Sequence, residues 1–87
     1  MDTLLVSYDC SPDGENSSRL LDAIRHYPCA RLSELSYAIS TSESPKEVFD
    51  KLSRYLESED CLYVIPLTGP WEGRGPKYVS NLFQRWL

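Results

Sequence analysis

A chain of 87 residues is the length of one domain, and it buries only about 60–65% of the surface its unfolded form exposes, so its core is thin. Thirteen Asp and Glu against nine Lys and Arg leave a formal charge of −4, which argues against a broad phosphate-binding surface while leaving room for a local basic patch. A hydrophobic fraction of 41% excludes a disordered chain, and no apolar run approaches the length needed to cross a bilayer.

Thr3 to Tyr8 is the first predicted strand. Leu4, Leu5 and Val6 are consecutive apolar residues, the pattern of a central strand covered on both faces. The strand ends on Asp9, and the loop over 9–16 is rich in Ser, Pro, Asp and Gly. Ser17 or Ser18 is placed to cap a first helix, in which Leu20, Leu21, Ile24 and Tyr27 share one face until Pro28. Residues 29–41 read as a hairpin bent near Ser33-Glu34, with one long bent strand as the competing reading. In its second arm Leu35, Tyr37 and Ile39 alternate with Ser36, Ala38 and Ser40.

The strongest local signal is Ser44-Pro45-Lys46-Glu47, a capping box with proline at the first helical position. Val48, Phe49, Leu52, Tyr55 and Leu56 then form the inward stripe, with Glu47 and Lys51 spaced to pair outside. Cys61 to Ile65 is another continuous apolar strand, also central by its pattern, with pairing weakened at Pro66. A Gly- and Pro-rich loop follows over 69–76. Val79, Leu82, Phe83 and Trp86 then recur at helical spacing in a tail.

Strand, helix, strand, strand, helix, strand is the order of the ferredoxin-like βαββαβ sandwich. This predicts an α+β domain whose antiparallel sheet carries both helices on one face, with a core over about 1–68 and a C-terminal tail over 69–87. The other face of the sheet then needs a cover: Tyr37, the tail aromatics Trp71 and Trp86, or a second copy of the chain. Hence the expectation of a homodimer.

Two groups of residues resemble a known family. Leu5-Val6-Ser7-Tyr8-Asp9, Leu20 to Ile24 and Ala30-Arg31-Leu32 come first. Tyr37-Ala38-Ile39, the helix capped at Ser44, and Leu62 to Ile65 with Thr68, Gly69 and Trp71 complete the likeness. Over about 1–71 the chain resembles the small CRISPR-associated adaptation proteins of the Cas-two type, and more closely their stand-alone SinR-like and VapD-like, toxin-antitoxin-like relatives. The resemblance implies a homodimeric metal-dependent nuclease in which Asp9, at the dimer axis, binds Mg²⁺ or Mn²⁺. Hard carboxylate oxygens suit those cations. The acidic surface departs from what nucleic-acid-binding members need, and the residues around Ser33-Glu34-Leu35 depart from the second strand of many members. The alternative is a non-catalytic interaction module that binds a protein partner.

Each candidate has a plainer reading beside it. Asp9 also suits a turn in which its carboxylate accepts backbone amides. Asp13 and Glu15 extend the acidic loop or are simply solvated. His26 suits a helix C-terminus. Cys10 beside Asp9 should be a blunted nucleophile. Arg31, Arg74 and Lys77 are the candidate phosphate contacts, Arg74 foremost because it lies between glycines, and Trp71 and Trp86 offer stacking surfaces. Cys10, Cys29 and Cys61 show no C-x-x-C spacing, which disfavours zinc and suits a reducing compartment. With no cationic leader at Asp2, the expected location is cytoplasmic, away from membranes.

Overall fold

The alternation of Leu4, Val6 and Tyr8 with Thr3, Leu5 and Ser7 fixes which side of the first strand meets the helices. In a computed structural model, residues 1–10 and 15–87 are described. They form β1 (Asp2–Asp9), α1 (Glu15–Arg25), β2 (Cys29–Ser33), β3 (Ser36–Thr41), α2 (Pro45–Ser53), β4 (Cys61–Leu67) and α3 (Lys77–Trp86). The sheet order is β2-β3-β1-β4, antiparallel throughout. This is the ferredoxin-like α+β arrangement.

β1 is central. It pairs with β3 from Asp2↔Thr41 to Ser7↔Ser36 and with β4 from Thr3↔Leu67 to Asp9↔Cys61. On the inner face Leu4, Val6 and Tyr8 join Tyr37, Ile39 and Leu62 beneath Leu20 and Ile24 of α1 and Val48 and Leu52 of α2. Burying each such side chain is worth about 1.5–3 kcal/mol, so this single layer supplies most of the fold's hydrophobic stabilisation.

On the outer face β3 presents only the small side chains Ser36, Ala38 and Ser40. Ala30, Ala38, Thr3 and Ser40 are buried although no side chain of α1 or α2 is on their side. Their cover comes from the tail. α3 packs on β2 and buries Val79. The tail's last residue lies beside the end of β4, where a Cβ on Gly69 would stand 3.4 Å from the Leu87 carbonyl oxygen.

Four expectations are corrected. α1 begins at Glu15, so Ser17 and Ser18 lie within it and do not cap it. β4 is an edge strand, with Tyr63 and Ile65 exposed; its Leu62 is buried in the core and Val64 packs against it, partly buried. Lys51 pairs with Glu43, because Glu47 is held by the capping box; the i,i+4 pair of α2 is Lys46 with Asp50 at 3.0 Å. Tyr37 points to the helices and is only 4% exposed, so it can neither cover the outer face nor join a dimer interface. Among the described residues, no helix is long and apolar enough to cross a membrane.

Candidate functional site

Tyr8 and Asp9 take opposite sides because neighbouring strand residues must. The Tyr8 side chain turns inward, where its hydroxyl donates to the Glu34 carbonyl oxygen at 3.3 Å. Its amide donates to the Leu35 carbonyl oxygen at 2.9 Å. Its ring stacks on Tyr37, with centroids 6.4 Å apart and planes inclined by 22°. Burial raises the Tyr8 phenol above its ordinary value, and Tyr37 and Cys10 push the same way. These contacts tie the end of β1 to the β2–β3 turn.

Asp9 is thereby held at the exposed end of a central strand, on the outer face. Running back along that face, Asp9 lies across from Cys61, Ser7 from Tyr63 and Leu5 from Ile65. Tyr63 is 65% exposed and Ile65 46%, so the acid sits at the head of an uncovered apolar row. Cys10, next in the chain, is partly buried. Its thiol is raised first by desolvation, then by the Asp60 and Asp9 carboxylates, which makes it a poor nucleophile at neutral pH. Asp13 lies outside the described residues, as does the side chain of Glu15. Among the described residues, no three His, Cys, Asp or Glu are grouped to hold a metal ion.

His26, exposed just past α1, lines a groove of about 450 Å³ with Tyr27, Glu43, Lys51 and Arg54. In it the Tyr27 hydroxyl donates to Glu43 Oε1 at 2.6 Å, and Lys51 Nζ donates to the other carboxylate oxygen. The Lys51 and Tyr27 hydrogen bonds hold the Glu43 carboxyl below the usual range. The Tyr27 phenol is raised, mainly by burial and then by its bond to Glu43.

Arg31 lines one groove of about 240 Å³ with Trp71 and Arg74, which follow it by 40 residues or more in the chain; the groove lies between β2, the 71–76 loop and α3. Trp71 stands edge-on to Phe83, with centroids 5.4 Å apart. Gly73 lies against the indole, where a Cβ would sit 3.4 Å from the ring, and nothing lies within 4 Å of a Cβ on Gly75. Neither glycine has a positive φ, so their contribution is a wall without side chains, not an unusual turn. Lys77 opens α3 and is exposed; Trp86, near its end, is partly buried. Sequence reasoning missed Tyr63, Ile65, Tyr27 and Glu43. Only Pro66 hinted that β4 was an edge strand.

No family model matches the chain, and no curated protein does. Among solved structures, the chain is similar to the crystal structure of a hypothetical protein, TT1823, from Thermus thermophilus. The TM-score is 0.69 at 21% sequence identity, covering 86% of this chain and 92% of that one. At that identity the likeness speaks to the fold, and it agrees with the ferredoxin-like sandwich.

Proposed function

We propose that the protein works as a homodimer of the Cas-two type, of the stand-alone SinR-like and VapD-like kind, acting on phosphodiester bonds through Asp9. The observation behind this reading is the placement of Asp9 at the head of the exposed Tyr63–Ile65 row. A second copy laid on that row would cover its apolar surface and bring two Asp9 carboxylates towards one axis. The motif resemblance in β1 points the same way. The two Asp9 carboxylates would then hold Mg²⁺ or Mn²⁺, and a cation so held lowers the pKa of a bound water and orients it towards phosphorus. The chain's own part is to fix the carboxylate: β3 and β4 flank β1, and the Tyr8 contacts with Glu34, Leu35 and Tyr37 leave its end little freedom.

A second reading keeps the dimer without the chemistry. Asp9 faces Cys61, and among the described residues no strand adds a second acid opposite it on the outer face. The same surface would then serve a cytoplasmic module that captures a protein partner. Titration calorimetry with Mg²⁺ and Mn²⁺ separates the two. The catalytic reading expects one metal per dimer in the wild type and none in Asp9→Ala, with loss of phosphodiesterase activity in the same variant. No metal binding by a wild-type protein shown to be dimeric would leave the interaction module.

A further inference from the structure

A groove of about 450 Å³ opens between the end of α1 and α2, on the helix side of the sheet. Its apolar lining is Ala23, the buried Leu52 and the partly buried rings of Tyr27 and Tyr55. All four belong to the core or pack against it, so this lining is held in place. The remaining lining is charged or polar. Among the described residues Glu43 is its one acid, and that acid is already engaged: Lys51 donates to one carboxylate oxygen and the Tyr27 hydroxyl to the other. Glu47 lies near enough to raise the Tyr27 phenol, but its carboxylate is held by the Ser44 amide at 3.2 Å. Arg54 and His26 line the same groove and are exposed, and among the described residues neither has an acidic partner. In a chain with a net charge of −4, this groove therefore keeps a permanent cation to spare.

A volume between about 300 and 1,000 Å³, apolar walls and a few polar groups are the usual marks of a small-molecule site. Two tyrosine rings favour a flat aromatic body, met edge-on or by offset stacking. A guanidinium takes a carboxylate through two parallel N–H donors, and an imidazole adds a further donor. We infer that this groove binds an aromatic monocarboxylate. Its ring system lies against Tyr27, Tyr55 and Leu52, and its carboxylate is held by Arg54 and His26. One negative charge is the right number, because Lys51 is spent on Glu43 and only Arg54 is left as a permanent cation. A dianion such as a phosphate monoester would set its second charge against the Glu43 carboxylate, and an amine would be repelled by Arg54 and Lys51. Because the ligand spans the end of α1 and α2, binding also stabilises the folded chain by mass action. The groove lies across the sheet from Asp9 and needs neither a metal nor a second copy of the chain.

The test is a titration of the isotope-labelled full chain with naphthoate, followed by amide shifts in NMR. Neutral naphthalenemethanol and cationic naphthylmethylamine are titrated beside it. Naphthoate should saturate with a Kd on the order of 1 mM, the strength expected of a ligand of about 13 heavy atoms. The shifts should centre on residues 23–27 and 51–55. Arg54→Ala should weaken binding roughly ten-fold, and Arg54→Lys should recover part of the loss. Asp9→Ala should bind as wild type does, which keeps this result distinct from any failure of the nuclease reading. The inference is overturned if naphthoate gives no saturable shift or if its shifts centre on another part of the chain. It is also overturned if the alcohol or the amine binds as well as the carboxylate, or if Arg54→Ala binds as wild type does.

Discussion

Glu43 shows how one side chain can join three elements. It sits between β3 and α2, receives hydrogen bonds from Tyr27 beyond α1 and from Lys51 on α2, and its amide donates to the Thr41 hydroxyl at 3.1 Å. Because its folded pKa lies below the ordinary 4.5, the carboxylate contributes stability above that value and loses it as pH falls through the depressed one. Tyr27 works from the other end. Its folded pKa is raised above 10.0, so its contribution is intact below pH 10 and is lost as the solution becomes more alkaline. Urea unfolding of Glu43→Gln should therefore show a smaller drop between pH 7 and pH 3 than wild type. Tyr27→Phe should cost about 0.5–1.5 kcal/mol at neutral pH and should flatten the alkaline side. Equal acid slopes for wild type and Glu43→Gln would remove Glu43 from the account. The Lys51 partner is more than half exposed, so salt should weaken its share.

At the scale of the element, α2 owes its start to local chemistry. The Ser44 hydroxyl accepts from the Glu47 amide at 3.1 Å, and Glu47 Oε1 accepts from the Ser44 amide at 3.2 Å, with Pro45 already holding the first helical φ. Ser44→Ala should lower stability by about 1 kcal/mol in denaturant unfolding; an unchanged midpoint would mean that packing of Val48 and Leu52 alone sets the helix. Such features were legible because they lie within four residues of one another. Leu4-Leu5-Val6 announced a central strand for the same reason. What was not legible is which face a strand presents. In β3 the small residues Ala38 and Ser40 are buried beneath the tail while Tyr37 and Ile39 are buried beneath the helices, so both faces are covered and alternation could not say which one Tyr37 joined. The partner of Lys51 was missed because Glu43 lies eight residues away, off the helical period. The meeting of Arg31 with Trp71 and Arg74 depends on where α3 lands, and no local pattern encodes that.

For the whole molecule, the two sides of the sheet have unequal cover. α1 and α2 close the inner face, and α3 packs on β2 at the outer face, while β4 keeps Tyr63 and Ile65 in solvent. A second copy of the chain is the occupant that the proposed function requires. Size-exclusion chromatography with light scattering should then give twice the 10.0 kDa chain mass for wild type. Ile65→Glu should give the monomer mass while retaining the wild-type circular dichroism spectrum, since a charge in the centre of an apolar interface is costly and the same charge on a free surface is not. A monomeric wild type at high concentration would refute the dimer.

β1 leaves the ribosome before both of the strands that flank it in the finished sheet. β1 closes on one side only when Thr41 has been made and on the other only when Leu67 has, a separation of most of the chain. During synthesis, Leu4, Leu5 and Val6 therefore wait with an unpaired edge beside apolar side chains, which is the condition under which nascent chains find one another. Such distant pairings raise the contact order and slow the search for the native sheet. The interval in which this small protein is most exposed to aggregation is thus set by the distance from its first strand to its fourth.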